Sequence, residues 1–154
     1  MMNIEVTIMK PDIAVAIKRT KASMDNLVSL IDEMSGIILK FLTEQNKQPS
    51  GAPYCAYTNC SADFTQFDFE LGIPVAETLP IEGELFMSKN CEGKAVVGMH
   101  KGAYNELETV YTAMMRYVKE NALELTGVYY DYYLNDPADT PADELLTQIV
   151  FPVK

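Results

Sequence analysis

The sequence predicts an α+β fold built from two pseudo-symmetric β-β-α-β-β units, each with an antiparallel sheet and one helix. Three observations predict it. Two stretches place apolar residues three and four apart, the spacing of amphipathic helices, whereas the remaining ordered stretches are short and strand-like. Strands flank each helix on both sides, which favours antiparallel sheets over an alternating parallel one. Finally, the second half of the chain repeats the order of the first.

The elements are justified in turn. Strands are expected at Ile4–Met9 and Asp12–Arg19. The first helix is expected from Ser23 to about Gln45, with Leu27, Leu30, Ile31, Met34, Ile38 and Phe41 on one stripe. Ser23 is a suitable N-cap and Asp25 a favourable first-turn charge. QNKQPSGAP supplies the stop. Strands follow at Tyr54–Thr58, Phe64–Pro74, Glu84–Asn90 and Lys94–His100, with Asn90–Gly93 (NCEG) placed as a hairpin turn between the last two. The second helix is expected from about Tyr104 to Asn121, with Tyr104, Leu107, Tyr111, Met114 and Val118 on its stripe. Val128–Leu134 and Glu144–Val153 complete the set as strands.

The repeat is visible on overlay. VAIKRTKASMDNL (15–27) lies over AVVGMHKGAYNEL (95–107), GAPYCAY (51–57) over GVYYDYY (127–133), and FELGIPV (69–75) over TQIVFPV (147–153). The chain is thus expected to be one domain over 1–154, with pseudo-repeats at about 1–76 and 77–154. A cleft along the pseudo-dyad is a common place for a ligand pocket.

Composition narrows the function. Apolar residues make up 48% and charged residues 22% of 154 residues, ordinary for a globular chain. No apolar run approaches the roughly 18 residues that span a bilayer. The N-terminus lacks a signal-peptide pattern, and three cysteines (Cys55, Cys60, Cys91) do not make a disulfide framework. A cytoplasmic location is expected. Twelve basic against 22 acidic residues give a net charge of −10, which disfavours direct nucleic-acid binding and favours cationic ligands. Cys55 and Cys60 have no second pair or nearby histidine, so no metal is expected. The chain also lacks phosphate-loop, G-x-S-x-G and H-E-x-x-H motifs, and no cofactor is expected.

The chemistry concentrates in GVYYDYYLNDP (127–137). Side chains alternate along a strand, so Tyr129, Asp131 and Tyr133 share one face, and Tyr130, Tyr132 and Leu134 the other. The set with Leu134 is expected to pack on the helix, leaving Tyr129, Asp131 and Tyr133 to the groove. The overlaid positions Pro53, Cys55 and Tyr57 would line the opposite wall. Ring faces attract a cation by roughly 0.5–2 kcal/mol, and tyrosine hydroxyls can compensate a desolvated carboxylate. Asp131 reads as a ligand contact, a solvated strand acid, or a catalytic group. Tyr104 reads as core or groove. His100, the only histidine, either fixes the loop before the helix, contacts ligand, or acts as a base.

In these residues the chain resembles the GyrI-like small-molecule-binding domains, also called AraC-type effector-binding domains, the ligand-sensing part of several multidrug-responsive regulators. The resemblance spans essentially the whole chain. It is carried by the strand around Ile13–Arg19; F-x-x-E-x-G-x-P-V at Phe67–Val75; H-x-G-x-Y at His100, Gly102 and Tyr104; acid-x-Tyr-Leu-x-Asp-Pro at Asp131–Pro137; and E-L-x-T-x-I-x-x-P-V at Glu144–Val153. It implies two modules with a groove between them that takes lipophilic, often cationic, aromatic compounds. It places the family's groove acid, usually glutamate, at Asp131. The shorter aspartate departs from the family's pattern and implies a different ligand size or depth, and the absence of tryptophan, a second departure, leaves stacking to tyrosine or phenylalanine. The expected function is a stand-alone effector-binding protein for hydrophobic, cationic aromatic compounds. No DNA-binding segment is expected, and a separate regulator is a candidate partner. The alternatives are a hydrolase of strained electrophiles using the same groove and a gyrase-inhibitor-like interaction module.

Overall fold

The computed structural model describes residues 4–23, 25–62, 65–81, 83–103, 106–136 and 139–154. Phe64, Tyr104 and Pro137, which figured in the expectations above, lie outside them. The fold is α+β: among the described residues, eight strands in antiparallel pairings and two α-helices are grouped into two compact units. One unit is Pro11–Asn90; the other joins Met1–Lys10 to Cys91–Lys154.

The 11–90 unit contains β2 (Ile13–Ser23), α1 (Leu27–Glu44), β3 (Tyr54–Thr58), β4 (Gln66–Pro74) and β5 (Phe86–Lys89). Its strands run in the order β3-β4-β2-β5. Val15, Ile17, Leu71, Ile73, Cys55 and Phe69 share one face of this sheet and are completely or almost completely buried. α1 packs on β2 and β4 and buries Leu27, Met34, Ile38 and Leu42. On the other face, the ring of Tyr54 lies across Gly72, where a Cβ would fall 2.4 Å from it. That closeness requires glycine. The Tyr54 hydroxyl then reaches Glu70 at 2.7 Å.

The other unit contains β1 (Ile4–Met9), β6 (Gly93–Lys101), α2 (Leu107–Glu120), β7 (Tyr129–Tyr133) and β8 (Leu146–Pro152), the last preceded by a 3-10 turn at Ala142–Glu144. Its order is β1-β6-β8-β7. Val96, Ile149, Phe151 and Val153 of the sheet region pack with Val110, Met114 and Val118 of α2 in one cluster. Burial at roughly 25 cal/mol per Å² of apolar surface is the main term holding each helix to its sheet.

Three expectations are corrected. NCEG is not a hairpin turn: β5 pairs with β2, whereas β6 pairs with β1 and β8. The side chain and backbone of Asn90 instead hold the backbone of Asp12, at 2.8 and 3.1 Å. Ser23 is not the helix cap, because β2 runs on through it. Asn26 takes the cap position, and its Oδ1 accepts from the Ser23 backbone N–H. On the stripe of α1, Leu42 rather than Phe41 is buried.

The internal repeat is structural. Met114 of α2 corresponds to Met34 of α1, and both are fully buried. Ile17 faces Leu71 as Gly98 faces Ile149, so the strand before the helix aligns one residue away from the sequence overlay. Cys55 faces Leu71 as Asp131 faces Ile149, which agrees with that overlay.

Candidate functional site

β7 is an outer strand of its unit's sheet, paired only to β8 there, and its alternation is as expected: Tyr129, Asp131 and Tyr133 share a face. The face they look to is not the expected one. Tyr129 packs edge-on against Phe151 with ring centroids 5.1 Å apart, and Phe151 belongs to the cluster under α2. Tyr111, from the helix itself, packs on Phe151 at 5.8 Å and donates its hydroxyl to Asp131 Oδ1. The acid therefore sits in the seam between α2 and the sheet, 3% exposed. The reading of Asp131 as a solvated strand acid falls with this.

Tyr132 and Leu134, which were expected against the helix, face the opposite way. The Tyr132 oxygen accepts the Cys91 backbone N–H at 2.9 Å, and Leu134 is 41% exposed. The physical reason is that tyrosine is amphipathic. A buried Tyr132 is as well served by a backbone donor as by a helix, so the apolar appearance of its set did not decide the face.

The seam is polar over three adjacent strands. Thr147 of β8 has His100 of β6 and Tyr133 of β7 as its cross-strand neighbours, and Asp131 follows next along the same face. His100 is buried, and its Nε2–H donates to the Ala103 carbonyl at 3.0 Å, closing the turn into α2. Gly102, inside that turn, has φ +135°, and a Cβ there would meet the Glu106 carboxylate at 2.9 Å. Thr147 is completely buried, and its Oγ1 has no hydrogen-bond partner among the described residues.

Of the seven site residues expected from sequence, the structure brings Asp131, Tyr129, Tyr133 and His100 onto one face of one unit. Tyr57 and Cys55 belong to the other unit, on the face of Leu71 and Phe69, with Tyr57 6.1 Å from the Phe69 ring. Tyr104 lies outside the described residues. Two residues were missed. Tyr111 was read as plain core, although a hydroxyl on a core stripe needs a partner. Thr147 carried no signal beyond its place in a motif. No group of three or more His, Cys, Asp and Glu side chains able to hold a metal occurs among the described residues. No helix there is long and apolar enough to cross a membrane.

Comparison with known proteins gives the context. Residues 2–154 match the GyrI-like small molecule binding domain. No curated protein matches. Among solved structures, the C-terminal domain of EcmrR superposes with a TM-score of 0.80 at 20% identity, covering 99% of this chain and 98% of that one. Against the EcmrR chain in its complex with DNA the score and identity are the same, and this chain spans 57% of its length. SAV2435 bound to tetraphenylphosphonium superposes at 0.66 with 14% identity, covering 99% and 94%. A hydrolase from Listeria innocua superposes at 0.68 with 11% identity, covering 98% and 91%. At such identities these are likenesses of fold. The family match along nearly the whole chain goes further: the chain belongs to the GyrI-like small molecule binding domain family.

Proposed function

We propose that the chain binds lipophilic aromatic cations, with Asp131 as the neutralising acid and Tyr111, Tyr129 and Tyr133 as the aromatic surround. The observation that carries this reading is the burial of the Asp131 carboxylate among aromatic side chains, with the Tyr111 hydroxyl on its Oδ1. A carboxylate held out of bulk water among aromatic rings is an acid against which a lipophilic cation can place its charge. Aromatic faces add to the attraction when water is excluded. The overall charge of −10 favours the same sign of ligand. A related fold, SAV2435, has been solved with tetraphenylphosphonium bound, which supports the ligand class. The module is proposed to sense or sequester such compounds and to pass the signal to a separate protein.

The test is calorimetric titration of tetraphenylphosphonium and of neutral triphenylphosphine oxide into wild type and Asp131→Asn. The cation is expected to lose about tenfold or more in affinity in the variant, equivalent to ~1.4 kcal/mol, with the neutral compound unchanged. Equal cation affinity in both proteins would remove Asp131 from the role.

A further inference from the structure

The cation reading names a charge and an aromatic surface. The orphaned hydroxyl of Thr147 points to something more about the ligand. Thr147 is fully buried, and a buried polar atom without a partner is rare enough in folded proteins to need a reason. The fold does not require a polar group there. Through the internal repeat, with Leu71 matching Ile149, Thr147 corresponds to Phe69 in the other unit. Phe69 is fully buried and makes ring contacts with Tyr57 and Phe67. Likewise Cys55 corresponds to Asp131. The same frame is thus apolar at these two positions in one unit and polar at both in the other.

The neighbours of Thr147 do not take up its hydroxyl. His100 spends its Nε2–H on the Ala103 carbonyl, and no hydrogen bond joins Thr147 Oγ1 to Tyr133. Asp131 is the diagonal neighbour of Thr147 on the same face. Diagonal neighbours in an antiparallel pair lie about 7–8 Å apart at Cα, and closer at Cβ. Two hydrogen bonds of about 2.9 Å from a single tetrahedral nitrogen bring their acceptors about 4.7 Å apart. One protonated nitrogen can therefore bridge the carboxylate and the hydroxyl.

We propose that Thr147 determines specificity within the site, accepting an N–H from the ligand's cationic centre. The preferred ligand is then a primary or secondary ammonium on an aromatic frame rather than a quaternary cation. This deepens the cation reading and rests on it. A quaternary centre satisfies the Asp131 charge but offers no hydrogen to Thr147.

The experiment uses the full chain and two probes that differ only at nitrogen, 4-phenylbenzylamine as its hydrochloride and its N,N,N-trimethyl counterpart. Wild type is expected to prefer the amine by about tenfold, the worth of one hydrogen bond to a charged group. In Thr147→Val, which keeps the shape, the preference is expected to vanish while the trimethyl probe binds as before. Thr147→Ser, which keeps the hydroxyl, is expected to retain the preference. The melting temperature of Thr147→Val is expected to be unchanged or higher, since an orphaned hydroxyl is replaced by methyl. Equal binding of both probes to wild type, or a preference that survives in Thr147→Val, overturns this proposal and leaves the cation reading standing. A lowered melting temperature with an unchanged preference overturns it in favour of a structural role. Binding of neither probe brings down the cation reading, and this one with it.

Discussion

At the scale of single residues, the hydroxyl of Tyr111 and a bound cation compete for Asp131. The hydroxyl compensates the carboxylate within the seam, and a ligand that displaces it must offer at least as much. Tyr111→Phe separates the two effects, because the ring and its contact with Phe151 are retained while the donor is lost. A buried charge left short of a donor costs about 1–3 kcal/mol, so the urea midpoint is expected to fall. Affinity for tetraphenylphosphonium is expected to rise several-fold in the same variant, since binding no longer breaks that hydrogen bond. If Tyr111 served packing alone, neither quantity would move. The helix position that matches Tyr111 in the other unit is Ile31, and the position that matches Asp131 is Cys55. The competing pair therefore has an apolar counterpart that folds without it.

At the scale of elements, the two strands that lead into the helices solve one problem by different chemistry. Each carries a left-handed residue close to its end, Lys21 with φ 56° inside β2 and Gly102 with φ 135° just after β6. Glycine reaches such values without strain, whereas lysine needs support. Asp68 supplies it: Oδ1 accepts the Lys21 backbone N–H at 3.0 Å and Oδ2 accepts from Asn59 at 2.8 Å, where the β2–β4 register shifts. The Asn59 bond first, then the Lys21 bond, holds the Asp68 carboxyl below the usual aspartate range. A depressed folded-state pKa contributes stability above the unfolded value, and this is lost as the pH falls through the folded one. Asp68→Asn is therefore expected to lower the urea midpoint at pH 7. The gap should narrow as the pH falls below about 3.9, the ordinary aspartate value, and should go on narrowing as the pH passes through the depressed folded-state value. A gap that stays constant with pH would show that the carboxylate charge is not what supports the bulge.

Elements were also where the sequence was most and least legible. Ile4–Met9 and Tyr54–Thr58 match the structure end to end, and both helices lie within their expected spans. Periodicity records which side of an element is apolar, and that is what forms a helix or a strand. Pleating likewise placed Tyr129, Asp131 and Tyr133 together. Which face α2 would cover was not legible, because tyrosines on both faces have apolar bodies and polar tips. The partner of β5 was not legible either. Turn residues such as NCEG report a change of direction, but pairing with β2 is decided by long-range contacts such as Asn90 to Asp12.

At the scale of the whole molecule, two copies of one frame have diverged in chemistry, and charge is spread over both. Met34 and Met114 fill matching places, as do Leu71 and Ile149, so packing has been kept where the frame needs it. The polar exchanges at Asp131 and Thr147 lie in one copy. The 22 acidic residues against 12 basic ones belong to the chain at large, and Asp131 is only one of them. Capture and retention of a cation should therefore respond to different variables. Capture depends on the summed field, which reaches about 30 Å at 0.01 M salt and about 10 Å at 0.1 M. Retention depends on the carboxylate in the seam. In stopped-flow measurements, the association rate of tetraphenylphosphonium is expected to fall as salt rises over this range, while triphenylphosphine oxide shows no such trend. Asp131→Asn is expected to keep almost the same salt slope for association while its dissociation rate rises. If the slope instead collapses with that single substitution, the attraction comes from Asp131 alone and the remaining acidic surface plays no part in steering.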